Sequence, residues 1–441
     1  MIPQFPLHHS LPNLAASLGD GSLDVFDYLD QLEAFFNERE PDVLAFVPEN
    51  GSFPNGRFSR LRTQALALLK QYPDPANRPS LFCVPIGVKD IFHVDGFTTR
   101  AGSELPPELF QGREADSVTA LRNAGALILG KTVTTEFAYF GAGATRNPYN
   151  AEHTPGGSSS GSAAAVGAGM AALTLGTQTI GSVNRPAAFC GAVGYKPSYD
   201  RIPKTGVLPL SPSLDHVGLF AQTAVSAQTA AQLMVNYWET TPPSPTLTVG
   251  VPEGRYLEYA DEEALAHFRA TCKQLQETGV SIKPIAAMPD FDDIAARHAY
   301  LVDAEMATIH ADWFAIYPDL YQEKTAEHYE MGKDAEAEKV GAAINGRFQL
   351  RTHLTDLMEE HAVSLWLSPS APGPAPHGLD STGSPIMNLP WSYAGLPTIT
   401  LPSGFAANGL PLGLQLTGGW YADEALFAAA IDIEERLEIR D

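Results

Sequence analysis

Three side chains in this sequence pair a reactive type with a sheltered setting: Lys89 in P-I-G-V-K-D, Ser158 after Gly156-Gly157, and Ser182 after Ile180-Gly181. Both serines lie in one stretch, Thr154 to Tyr199, that is rich in Gly, Ser and Ala and nearly free of charge. Such a stretch cannot build a core from bulky side chains. It lets backbone come close to backbone or to a ligand, which is what an oxyanion-binding or phosphate-binding surface requires.

The flanking elements follow an α/β rhythm. Apolar residues at helical spacing predict amphipathic helices over residues 23–39 and 58–72. The segment L-F-C-V-P-I-G-V-K-D-I-F-H-V is uncharged until Lys89, so it reads as a buried strand that delivers Lys89 and Asp90 at its end. A short helix over Asp116 to Ala124 and a strand over Ala126 to Leu129 follow, and this alternation indicates an α/β sheet. A small-residue helix over Ser162 to Leu173, a strand or turn over Thr174 to Gly181 and an amphipathic helix over Thr223 to Trp238 come next. The T-T-P-P-S-P segment, Thr240 to Pro245, reads as a linker to a second half that opens with a strand over Thr246 to Val251. Residues 261–362 read as a helical, charged, solvated outer layer. A strand over Val363 to Leu367 leads into the long loop Pro369 to Pro385, a length typical of pocket walls. Strands over Leu396 to Leu401 and Leu410 to Leu416 and a helix over Ala422 to Leu437 close the sequence.

Composition narrows the function class. The chain has 441 residues, 44% of them hydrophobic and 18% charged, and a formal net charge of −23. That charge repels phosphate backbones and anionic lipid, which disfavours nucleic acid and membrane surfaces as partners. Three cysteines, Cys83, Cys190 and Cys272, argue against a disulfide framework and for a reducing compartment. No signal peptide or membrane-length apolar run is visible, so a cytoplasmic enzyme is the expectation.

Two motif matches carry little weight. Gly125 to Thr132, G-A-L-I-L-G-K-T, satisfies the phosphate-loop pattern, but its variable positions are a continuous apolar run that reads as a buried strand. Gly157 to Gly161, G-S-S-S-G, satisfies the nucleophile-elbow pattern with Ser159 as nucleophile, yet no strand precedes it to mount an elbow. Asp215 with His216, or His377 with Asp380, would have to complete that triad. The 12 histidines show no metal-site spacing, so no metal is expected.

The order P-I-G-V-K-D, P-G-G-S-S-S-G-S-A-A-A, then G-T-Q-T-I-G-S-V-N-R-P-A-A-F-C-G resembles the amidase signature family. The likeness runs from about Leu81 to the C-terminus, through G-K-T-V-T-T-E-F-A, S-L-D-H-V-G-L-F-A and A-G-L-P-T-I-T-L-P-S-G-F. It implies one large α/β domain with a central mixed sheet covered by helices on both faces. Within it, residues 1–75 would be an N-terminal helical segment, 81–225 the signature core and 246–441 the second half. It also implies a Ser–cisSer–Lys triad: Ser182 as nucleophile, Ser158 as the bridging serine on a cis peptide and Lys89 as the base. The backbone N–H groups of Thr179, Ile180, Gly181 and Ser182 would bind the oxyanion. Physical chemistry is consistent with this, because a serine needs a base to become a nucleophile and burial favours a neutral lysine.

The sequence departs from the family pattern at Gln178, where an Asp is common, and at Ile180, where a Gly is. Arg185, three residues after Ser182, resembles the malonamidase-like branch and suits recognition of a substrate carboxylate. The alternative is a salt bridge to Asp200 or Asp215. Arg185, Ser159 and Tyr139 are the expected substrate contacts, with Tyr139-Phe140, Ile180 and the loop Pro369 to Trp391 as pocket walls. The resemblance implies an amidase that releases ammonia or an amine from a small-molecule amide, without a cofactor. Related urea-type, hydrazide or ester hydrolysis, or a non-catalytic role within a complex, are the alternatives. The apolar N-terminal helices offer a surface for a homodimer.

Overall fold

In a computed structural model, described for residues 5–49, 56–242 and 247–437, ten strands form one mixed sheet. They are β1 (Pro85–Lys89), β2 (Leu127–Thr132), β3 (Leu173–Gln178), β4 (Val193–Lys196), β5 (His216–Ala221), β6 (Thr248–Glu253), β7 (Ser281–Ala286), β8 (Leu365–Pro369), β9 (Thr398–Phe405) and β10 (Pro411–Gly418). The order is β2-β1-β3-β5-β4-β9-β10-β8-β6-β7, and helices cover both faces. β1 pairs in parallel with β2 and β3, whereas β3 runs antiparallel to β5. The pairing of β4 with β9 joins the two halves of the chain in one sheet. The segment expected as a linker lies partly outside the described residues, at 243–245.

The first half explains its own composition. Every residue of β1, β2, β3 and the helix Ser160–Gly167 is buried. Small residues permit that density. A Cβ on Gly161 would fall 2.1 Å from the Ala45 carbonyl oxygen, and one on Gly176 would fall 2.8 Å from Ser159 Oγ.

Three expectations need correction. The small-residue helix ends at Gly167 instead of Leu173, where Gly169 takes a positive φ and the chain turns into β3. The helix expected over Thr223 to Trp238 is Ala224–Ala231. Past Ala231 the chain tightens into turns, with the Leu233 and Met234 N–H groups bonding the Ala230 and Ala231 carbonyls, and the Asn236 and Tyr237 carbonyls then accept from the Arg201 guanidinium, which also binds Glu424 and Asp423. Lastly, residues 261–362 are more than a solvated layer. The helix Phe291–Ile316 buries Phe291, Ile294, Leu301 and Met306 in a second core with Trp366 and Trp391.

Candidate active site

β1 ends on Lys89, whose side chain is fully buried. Its Nζ donates to Ser158 Oγ at 2.7 Å and to Thr177 Oγ1 at 2.8 Å. Burial pushes this amine well below the ordinary lysine range, and the Asp215 carboxylate opposes that shift. The peptide between Gly157 and Ser158 is cis, and the Ser158 carbonyl accepts from the Thr135 N–H at 3.1 Å.

Ser182 follows β3 by four residues and is 8% exposed, against 2% for Ser158 and 0% for Lys89. Of the three side chains it is the most exposed. Among the described residues its side chain makes no hydrogen bond. The turn before it is held by its carbonyls: Thr179 O by His298 Nε2 at 3.3 Å, Ile180 O by Ser392 Oγ at 2.6 Å, and Gly181 O by the Arg185 N–H at 3.0 Å. No described residue accepts from the N–H groups of Ile180, Gly181 or Ser182. Fixed donors without partners at such a turn can stabilise an oxyanion.

Gln178 completes this frame. Its Oε1 accepts from the N–H groups of Val183 and Asn184, at 2.8 and 2.9 Å, and caps the helix Asn184–Cys190. Its Nε2 donates to Asn184 Oδ1 and Ser392 Oγ. The amide thus supplies the acceptor that a carboxylate would, without negative charge. Ile180, half-buried, packs with Phe140 against the second core.

Arg185 bonds neither Asp200 nor Asp215. Its guanidinium donates to the carbonyls of Gly157, at 2.6 Å, and Gly383, and to Thr382 Oγ1 at 3.1 Å. Asp200 pairs with Lys204 instead, at 2.9 Å. Burial lowers the Arg185 guanidinium to about 9, and its Nε has no partner among the described residues.

Ser159 is not placed to meet a substrate or to attack one. It is fully buried, and its Oγ donates to the Thr177 carbonyl at 3.1 Å and accepts from the Thr177 N–H at 3.2 Å, which ties the loop to β3. Residues before Gly157 form no strand, and Gly125 to Thr132 is largely the buried strand β2. His377 bridges to His153, and the Asp380 carbonyl takes a bond from Lys324. Tyr139 Oη donates to Asp303 Oδ1 at 2.6 Å and lies 3.0 Å from His328 Nδ1, so its hydroxyl is engaged by the outer helices.

A cavity of about 120 Å³ lies beside Lys89's partner Thr177. Its walls are Ile91, Ala138, Thr179 and the segment from Lys204 to Val217, with Leu208, Leu210 and Asp215 among them. Tyr139, Ile180 and the loop Pro369 to Trp391 do not line it. Sequence reasoning gives this segment no part in the pocket, although Pro209 and Pro212, spaced through a loop that ends in Asp215, are a signal. No helix among the described residues is long and apolar enough to cross a membrane.

The comparisons agree with this architecture. The family model "Amidase" matches residues 54–427. A glutamyl-tRNA(Gln) amidotransferase subunit from Trichlorobacter lovleyi is 30% identical over 406 residues, covering 80% of this chain and 83% of its own length. A solved amidase structure superposes with a TM-score of 0.86 at 29% identity, covering 97% of this chain and all of its own. A 6-aminohexanoate cyclic dimer hydrolase shares the fold, with a TM-score of 0.83 at 21% identity over 98% of both chains. This chain belongs to the amidase family and is a hydrolase of amide C–N bonds.

Proposed function

We propose that the chain hydrolyses a small-molecule amide through an acyl-enzyme on Ser182. The observation that carries this reading is the contact of buried Lys89 Nζ with Ser158 Oγ at 2.7 Å, with no carboxylate in salt-bridge contact among the described residues. Neutral Lys89 takes the Ser158 proton as Ser158 takes that of Ser182, and Ser182 Oγ bonds to the amide carbon. The N–H groups of Thr179 to Ser182 hold the resulting oxyanion. Collapse breaks the C–N bond, and the leaving nitrogen receives a proton from Lys89 through Ser158. Water then attacks the ester, its proton returns by the same relay, and a carboxylate leaves.

Arg185 supports a substrate that carries a carboxylate. A buried guanidinium bound only by carbonyls and a hydroxyl keeps its charge uncompensated, and a substrate anion would compensate it.

The test is intact-mass detection of a covalent adduct with a serine-directed fluorophosphonate. The adduct is expected on the wild type, absent in Ser182→Ala and much slower in Lys89→Ala. An adduct that survives Ser182→Ala overturns the assignment. A second reading, the catalytic component of a larger amidotransferase, is favoured by the likeness to a protein named as one subunit of such an enzyme. Stable co-purification of a partner whose removal abolishes turnover would select it over an enzyme that works alone or as a homodimer.

A further inference from the structure

Asp215 stands just before β5 and faces the cavity together with Thr177 and Thr179. Its Oδ1 accepts from Thr179 Oγ1 at 2.5 Å, and its Oδ2 from the N–H groups of Leu210 and Ser211 at 2.9 and 3.0 Å. One carboxylate therefore ties the cavity wall to the residue that opens the turn before Ser182. It also acts on Lys89 through space, since the direct contacts of Nζ are hydroxyls.

We propose that Asp215 is a positioning residue that fixes Thr179 at the start of the oxyanion-binding turn by tying it to the Leu210–Ser211 backbone of the cavity wall. This rests on the reading of Lys89 as the base.

The other ionisable groups around the site leave this role to Asp215. Asp90 is paired with Lys131 at 2.6 Å, Arg185 is spent on carbonyls, and Lys204 is paired with Asp200 at the cavity rim. Burial keeps His216 and His298 neutral. Burial also raises the Asp215 carboxyl to about 6, against the pull of its three hydrogen bonds, so it is an anion at neutral pH. An anion near Lys89 favours the ammonium form, and the base is the amine. Removing the anion therefore moves the acid limb of activity to lower pH.

The experiment is the pH dependence of kcat and KM on a small amide that the full-length wild type hydrolyses, with melting temperatures as a folding check. In Asp215→Asn, the side-chain oxygen can keep the Leu210 and Ser211 bonds while the amide NH2 faces Thr179 Oγ1. The acid limb is expected to fall by about one pH unit, and kcat by roughly 10-fold with KM changed far less. Thr179→Val cuts the tie but keeps the charge, so kcat should drop with the limb in place. Asp215→Glu keeps the charge and should hold the limb near the wild-type value. An Asp215→Asn enzyme whose limb does not move, alongside an inactive Lys89→Met, overturns the role of Asp215. If the Asn variant does not fold, an unchanged kcat in Thr179→Val or a limb displaced in Asp215→Glu overturns it. A Lys89→Met enzyme with the wild-type profile would instead overturn the reading of Lys89 itself.

Discussion

The sheet buries two lysines one register step apart on paired strands: Lys89 stands opposite Thr132, and Lys131 opposite Val88. Burial lowers the proton affinity of Lys131 as well, but its Asp90 carboxylate at 2.6 Å opposes that shift directly. Lys89 has hydroxyls at hydrogen-bond distance and no carboxylate in contact, so burial meets less opposition and its affinity for a proton falls well below the ordinary lysine range. Burial is common to both. What separates the structural cation from the proposed base is whether a carboxylate stands in contact with the amine.

The largest effect should come from removing the hydroxyl-bound lysine. Lys89→Met is expected to lower kcat on a small amide by about 10⁴-fold, the upper range for a general base. Lys89→Arg should not restore it, because a guanidinium does not give up its proton at working pH. Initial rates measured on the two variants check this, and an Arg variant near wild-type rate would erase the distinction between the two sites.

Next in size is the loss of the ion pair. Asp90→Asn leaves Lys131 buried without its counter-charge and should cost about 3–5 kcal/mol of stability in urea unfolding. Turnover by the folded fraction should persist, since Asp90 bonds the Arg100 N–H and does not touch Lys89 Nζ.

Thr177→Asp would turn one site into the other by placing a carboxylate where Lys89 now meets a hydroxyl at 2.8 Å. The sign follows from the partner: an adjacent anion stabilises the ammonium, raises the pKa of Lys89 and shrinks the neutral fraction. The acid limb of the rate profile should therefore rise by about 1–3 pH units. A profile that stays in place would mean that contact chemistry does not set this proton.

These two lysines also mark how far the sequence is legible. Lys89 can be placed at a buried strand end because the apolar run before it is unbroken. The Ser158 and Ser182 assignments rest on a resemblance and not on periodicity, since three adjacent serines give no pattern that says which one points inward. Ser159 shows the consequence, being consumed by the two backbone bonds to Thr177. Arg185 reads from sequence as a partner of a carboxylate, but its acceptors are carbonyls and a hydroxyl on segments up to 198 residues away, and backbone acceptors leave no trace in residue type. The same holds for the chain past Ala231, where Arg201, paired with Asp423 and Glu424, binds the Asn236 and Tyr237 carbonyls. Local elements follow local pattern, whereas the cavity wall at Lys204 to Val217 depends on what Asp215 holds in place.

The smallest effect is the most discriminating test of the comparison. Asp90→Asn with Lys131→Met removes both charges of the buried pair together, and the Asn oxygen remains available to the Arg100 N–H. Replacing a whole buried pair by groups of similar volume is often neutral, because the desolvation of two ions is recovered as their attraction is lost. The double variant should therefore unfold within about 1 kcal/mol of the wild type, regaining most of what Asp90→Asn alone loses. Matched urea transitions of the wild type, the single variant and the double variant measure this directly. If the double variant is as unstable as the single one, the cost lies in lost packing and hydrogen bonds around Asp90 instead of in an orphaned charge. Lys131 would then owe its retained proton to something other than its partner, and the contrast with Lys89 would need another cause.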